Sequence, residues 1–421
     1  MDQTDIWQQC LECAALSDVG MRRANNQDSM AVALAGSQEA FVRRGHLFMV
    51  ADGMGAHAAG ELASKLATDS VPLIYQKLRE LSPPEALRKA VQDANQLINQ
   101  RGQSSEDFKG MGTTCTTLAL LAEGAVVAHV GDSRAYRLRG RQFEQLTFDH
   151  SLVWEIRAAG QMPSDQIPLY VPKNIITRSL GPNPAVQIDL EGPFPLQVGD
   201  TFLVCCDGLT GPVEDKEIGT ILACLPPQQA AQALVDLGNL RGGPDNITVI
   251  IARVKGPQTA CGGSPAAAAS GTSTAVVHPL IWTLLGVFVV GGLMMMAMRQ
   301  WVAAGACLVG TLCAGAAAMV QWFSGGRAET AAPTGPLGRG PYTHCDCTPD
   351  MEFTERLAGI VQELRGAAVG GDRVVDWPQF NDLETRAKNA KNSGDLSQAI
   401  FYYCTAISFM TRELRKRKGA Q

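Results

Sequence analysis

The sequence predicts an α+β domain over residues 14–255, in which two antiparallel sheets pack face to face and helices cover the outer faces, an α–β–β–α sandwich. Three observations predict it. Short apolar runs, among them residues 47–51, 202–206 and 247–254, read as strands, the first buried on both faces. Residues 113–144 form a meander with turns at Glu123-Gly124, Gly131-Asp132 and Arg139-Gly140. Helical patterns flank these strands in pairs, and layers of that kind need helices on both outer faces.

Taken in order, residues 14–20 read as a short strand and 21–28 as a polar loop. The strand at 47–51 leads into a helix over 62–81, which Pro72 is expected to kink. A second helix over 84–100 carries the stripe Leu87, Val91, Ala94 and Ile98. After the meander come a short helix at 152–159 and an irregular, proline-bearing stretch at 161–172, read as a mobile flap. Helices near 215–224 and 227–237 lie between the last two strands.

Beyond residue 255 the composition changes. Residues 256–278 are rich in Gly, Ser, Ala, Thr and Pro and read as a flexible linker. Residues 279–298 and 301–323 are two uncharged apolar segments broken by Arg299-Gln300, each long enough to span a bilayer, with Trp301 and Trp322 at the ends of the second. The domain reading over 279–323 is a transmembrane hairpin, although no Gly or Pro marks its turn. Residues 324–379 read as a second Gly/Pro-rich linker, containing His344-Cys345-Asp346-Cys347 as loop cysteines. Residues 380–416 read as a helical hairpin. Ala387, Gly394, Ala399, Tyr403 and Ala406 fall where a tetratricopeptide repeat packs, and a generic hairpin fits nearly as well.

The bulk numbers exclude some classes. Net charge is −5, without the basic surplus of a nucleic-acid binder. Twelve scattered cysteines suit a reducing compartment better than a disulfide framework. Residues 1–13 are polar and mixed, so no secretory signal is expected.

The chemistry gathers at acidic turns beside buried strands: Asp28, Asp52-Gly53, Asp132, Asp207 and Asp245. Oxygen-only ligation by several carboxylates, with no His or Cys pair, selects hard ions such as Mg²⁺ or Mn²⁺ over zinc. Two such ions can lower the pKa of a shared water for attack on a phosphoester. Arg23, five residues before Asp28, is placed to clamp a phosphoryl group.

The ordered motifs are Ser17-Asp18-Val19-Gly20 with Arg23 and Asn26-Gln27-Asp28, then Asp52-Gly53-Met54-Gly55 with His57 and Gly60-Glu61, and Gly112-Thr113-Thr114. Gly131-Asp132-Ser133-Arg134, Asp149-His150-Ser151, Ile176-Thr177-Arg178 with Leu180-Gly181, Cys206-Asp207-Gly208-Leu209 and Asp245-Asn246-Ile247-Thr248 follow. Together they resemble the bacterial branch of the metal-dependent type 2C protein phosphatases, over roughly residues 14–254. The resemblance implies that Asp52, Asp207 and Asp245 hold one metal. It gives the second to Asp52 and the Gly53 carbonyl, with Asp28 orienting its waters, and a third, seen in bacterial members, to Asp132 with Asp207. It also implies that Arg23 binds the phosphate of phosphoserine or phosphothreonine in a protein, and that the flap influences which protein docks. One departure is Gln27, where bacterial members commonly carry Glu.

Other residues have blander expectations. Arg134 should pair with a carboxylate, His129 should be a satisfied core histidine, and His150 should cap structure. Asp18 is either an outer-shell carboxylate or a turn residue. His57 either shapes the site or serves as general acid.

The function expected is a membrane-tethered Ser/Thr protein phosphatase, acting on the substrates of a kinase at the inner (cytoplasmic) membrane. Two spans return the chain to its starting face, and Arg253, Lys255, Arg327 and Arg339 flank the hairpin, so both ends are expected in the cytoplasm. Residues 380–416 would dock a protein partner; no nucleic acid is expected. The alternative is a non-catalytic phosphoprotein-binding sensor or adaptor on the same fold, which would need none of the acidic residues.

Overall fold

The computed structural model describes residues 10–55, 58–159, 172, 175–256, 290–300, 311, 336–370 and 375–415. His57, nearly all of the expected flap, the linker beyond Gly256 and most of the two expected membrane spans lie outside them. The chain divides into two compact units, Met1–Gly262 with Pro336–Gln421, and Gly263–Gly335.

The first unit contains two antiparallel sheets. One runs β1 (Leu11–Asp18), β11 (Ile247–Val254), β10 (Thr201–Cys205), β7 (Arg134–Arg139), β8 (Gln142–Gln145) and β12 (Thr343–Asp346). The other runs β2 (Asp28–Ala33), β3 (His46–Met54), β5 (Cys115–Leu121), β6 (Gly124–Val130) and β9 (Asp189–Phe194), with β4 (Gly112–Thr113) beside β3. Alternation along the strands makes the layers. Phe48, Val50, Phe202, Val204, Ile250 and Ala252 pack together in one buried cluster. Their neighbours Leu47, Met49 and Ala51 join a second cluster, with residues of the helices α2 (Ala59–Lys77) and α3 (Pro83–Gln103). Leu203, Val249 and Ile251 join a third, with α6 (Asp215–Cys224) and α7 (Pro227–Leu240). Strands apolar on both faces thus build the expected sandwich. The stripe Leu87, Val91, Ala94 and Ile98 is fully buried. Ser82 caps its helix reciprocally with Glu85. Shorter helices are α1 (Gln38–Arg44), α4 (Leu152–Ala158) and α5 (Asp207–Thr210).

The C-terminal region departs from expectation. Residues 336–370 do not form a linker. Leu337 exchanges backbone hydrogen bonds with Gly192, β12 pairs with β8, and α8 (Met351–Val369) follows. Its N-cap Asp350 accepts from Phe353 N, and Phe353, Leu357, Val361, Leu364 and Ala368 bury one face at helical spacing. The prolines and glycines of 324–349 masked this onset. The expected hairpin is present as α9 (Trp377–Asn392) and α10 (Leu396–Arg415), joined through Gly394 at φ 84°. Ala387, Ala399, Tyr403 and Ala406 are buried, which any packed helical hairpin requires. The pair does not stand apart as a module: with α8 it shares one apolar cluster with α6 and α7.

Of the second unit, residues 290–297 are helical and end in a Schellman turn. Arg299 N donates to Met296 O and Gln300 N to Met295 O, with Arg299 at φ 56°. Arg299 thus ends this helix without a Gly or Pro; the second arm of the expected hairpin lies outside the described residues. Among the described residues, no helix is long and apolar enough to cross a membrane.

Candidate active site

Five aspartates lie at strand ends. Asp28 opens β2 and stands opposite Asp52 of β3 in register. Asp132 sits in the β6–β7 turn, Asp207 opens α5 directly after β10, and Asp245 precedes β11. Both sheets therefore contribute. Gly53 lets the chain close in: a Cβ there would collide with the carbonyl oxygens of Gly60 and Gln27, and its own N–H donates to Gln27 O at 3.1 Å.

The carboxyls repel one another in a dry setting. Burial pushes Asp28 up to about 6 and Asp132 up to about 8, with further upward pressure from Asp207 on both. Asp52 and Asp207 are raised too, by burial first and then by neighbouring carboxylates. One oxygen each of Asp28, Asp132 and Asp207 is buried without a hydrogen-bond partner. Buried orphan acceptors of one charge sign, all oxygen, fit hard cations. Among the described residues, no three Asp, Glu, His or Cys side chains enclose a point as an ion's ligands would. Both Asp245 oxygens are engaged, Oδ2 accepting from Arg23 Nη2 at 2.6 Å and Oδ1 from Asn246 N at 2.9 Å. Arg23 is half-exposed at the mouth of the cluster; the bond to Asp245, and then the nearby carboxylates, raise its pKa further.

Several supporting residues had no assigned role in the sequence reading. Thr248 Oγ1 donates to Asp28 Oδ2 at 2.7 Å, and Thr114 Oγ1 accepts from Asp52 N at 2.8 Å. Asn246 Nδ2 donates to Val19 O and Asn25 O while its Oδ1 accepts from Gln27 N, fastening the Arg23 loop to the Asp245 turn. Their motifs were legible, but a hydroxyl or amide holding another residue leaves no spacing signal.

The expectations for Arg134, His129 and His150 hold, and Asp18 takes the turn role; His57 lies outside the described residues. Arg134 pairs with Asp149, Nη2 to Oδ2 at 2.7 Å. His129 is buried between Thr116 Oγ1 and Phe148 O, and His150 Nδ1 accepts from Gly131 N. Asp18 makes a turn, its Oδ1 accepting from Gly20 N at 2.9 Å.

Comparison with known proteins decides the family. The sequence profile of protein phosphatase 2C matches residues 21–236. The chain belongs to the protein phosphatase 2C family. A putative protein phosphatase 2C-type from Streptococcus pyogenes is 39% identical over 240 residues, 56% of this chain and 94% of that protein. The serine/threonine phosphatase stp of Listeria monocytogenes is 35% identical over 240 residues, 56% of this chain and 92% of its own length. Among solved structures, the serine/threonine phosphatase PstP/Ppp of Mycobacterium tuberculosis superposes with a TM-score of 0.51 at 32% identity, over 58% of this chain and 99% of that one. This chain is thus a protein Ser/Thr phosphatase. These matches span little more than half of the chain, so they do not bear on the C-terminal region.

Proposed function

We propose that this phosphatase removes phosphate from phosphoserine and phosphothreonine in proteins at a centre of two Mn²⁺ or Mg²⁺ ions, with a site for a third, while tethered to the inner membrane. The observation that carries the centre is the set of buried, unpartnered oxygens on Asp28, Asp132 and Asp207 beside Asp52 and Asp245. Asp52, Asp207 and Asp245 would hold one ion. Asp52 and the Gly53 carbonyl would hold the second, with Asp28 behind it. Asp132 and Asp207 would hold the third. When bound, the ions supply a water of lowered pKa and neutralise phosphoryl charge.

The chain's own residues do the rest. With the ions bound, Asp245 Oδ2 would serve as a ligand in place of its bond to Arg23, leaving the Arg23 guanidinium for the substrate phosphate. Thr248 holds Asp28, and Thr114 holds the Asp52 backbone, so neither carboxylate reorients as charge develops. The Asn246 bonds keep Arg23 and Asp245 in register. A buried arrangement fixed before substrate arrives lowers the reorganisation cost of the step.

The tether is supported by the uncharged segments 279–298 and 301–323 and by the Arg299 turn. Two spans would place both ends in the cytoplasm, beside phosphorylated substrates of a membrane-associated kinase. Phosphate release from a phosphothreonine peptide, dependent on Mn²⁺ and abolished by chelator, tests the centre; activity indifferent to chelator contradicts it. Alkaline extraction of membranes tests the tether, and full release into the soluble fraction contradicts it.

A further inference from the structure

Helix α10 ends against the turn that follows β1. Arg415 Nη1 donates to Asp18 Oδ2 at 2.7 Å. Asp18 Oδ1 meanwhile accepts from Gly20 N at 2.9 Å and from Asn239 Nδ2 of α7 at 3.1 Å. Gly20 (φ 80°) lies so close to Asp245 that a Cβ would collide with the Asp245 carbonyl oxygen. The next residues are bolted to the same turn, with Met21 N donating to Gly243 O at 2.9 Å and Asn246 Nδ2 to Val19 O at 2.9 Å. Three residues beyond Gly20, Arg23 meets Asp245. One carboxylate therefore joins the last turn of α10, the α7 helix and the turn that launches the phosphate-binding arginine.

We propose that Arg415 is a positioning residue for substrate phosphate: through Asp18 it seats the Gly20 turn against Asp245 and sets the reach of Arg23. The C-terminal helices are then a working part of the substrate site. The contact's electrical character matters. Burial opposes ionisation of Asp18, yet the hydrogen bonds from Arg415 and Gly20 outweigh it and hold the carboxyl below its usual value. The helix end is well supported, because Ala399, Tyr403, Ile407 and Met410 are buried in the cluster shared with α7. The curated relatives align over little more than half of this chain, so this link is a feature of the extended architecture.

The proposal rests on Arg23 as the phosphate ligand, and the test separates the two claims. In the full-length protein with saturating Mn²⁺, KM and kcat are measured for a phosphothreonine peptide. Arg415→Ala should raise KM about threefold with kcat changed less than about twofold, the scale of one half-exposed ion pair. Arg415→Lys should restore most of the affinity. The difference should shrink in high salt. In an Asp18→Asn background, Arg415→Ala should add nothing, since its route is gone; general loosening of the fold would still add its effect there. An unchanged KM in Arg415→Ala, or an undiminished effect in the Asp18→Asn background, overturns the proposal while leaving Arg23 in place. An unchanged KM in Arg23→Ala overturns the Arg23 assignment, and this proposal with it.

Discussion

Replacing Glu191 tests whether residues 336–415 are part of the phosphatase fold. Glu191 is 2% exposed, and its carboxylate gathers the returning chain. Oε2 accepts from Arg339 N at 2.9 Å and from Gly340 N at 2.8 Å, and Oε1 from Tyr342 OH at 2.5 Å. Gly338 and Gly340 pack directly over the carboxylate, so nothing fills the space if it is removed. Each bond is worth about 1 kcal/mol net, because the donors are half-exposed and water can replace the acceptor. Three bonds give about 3 kcal/mol. Against this stands the cost of burying the charge, visible as a carboxyl raised above its usual value by burial despite its donors. Glu191→Ala should therefore cost about 2 kcal/mol in urea unfolding of the full-length protein. It should also speed proteolytic cleavage within residues 336–342. Glu191→Gln keeps the shape and relieves the buried charge, and Tyr342 can rotate to accept from the amide, so its cost should stay under about 1 kcal/mol. A Glu191→Ala protein within about 0.5 kcal/mol of wild type, with unchanged cleavage, would refute the argument.

Other outcomes follow from the same structure. Asp207→Asn should abolish turnover of a phosphothreonine peptide while the circular dichroism spectrum stays native, because one of several mutually repelling carboxylates is removed; near-normal turnover at moderate Mn²⁺ would contradict its role as ligand. Gln27→Glu should lower the metal concentration for half-maximal activity by about tenfold, since a nearby charge is worth roughly 1–3 kcal/mol in a solvated site. An unchanged titration would show that the Gln27 side chain only supports its loop. His46 is buried against Phe41, accepts from Ala35 N, and is lowered by burial from 6.5 to about 4. A histidine with a lowered folded pKa contributes stability that is present above pH 6.5 and lost as pH falls toward 4, here about 3 kcal/mol. Unfolding of wild type and His46→Gln across that window should diverge by this amount, and parallel curves would contradict it.

Much of the phosphatase domain was legible because its strands are apolar on both faces, and its turns carry Gly beside Asp. The helix at Asp215–Cys224 and the three meander turns fall where sequence placed them. β9 was missed because Gly192-Pro193 reads as a turn; a strand with a ladder to β6 on one side and a single bridge to Leu337 on the other tolerates a proline there. β2 was missed because Asp28 to Ala33 is short and mixed, and only pairing with β3 makes it a strand. Helix α8 has a clear apolar period, but the Gly/Pro-rich residues ahead of it suggested a linker. At the site, carboxylates were readable by type and position. Thr248, Thr114 and Asn246 were not, since each acts by holding a neighbour that only folding brings near. The docking of α10 on α7, and the Arg415–Asp18 bond across 397 residues of chain, carry no sequence signal at all.

The central claim is that the aspartates converge to hold hard ions. Its most direct test is the number of Mn²⁺ ions bound, read by calorimetric titration of the full-length protein. Wild type should bind two ions tightly and a third more weakly, Asp132→Asn should lose the weak one alone, and Asp52→Asn should lose both tight ones. A stoichiometry indifferent to Asp52 and Asp132 would contradict the account.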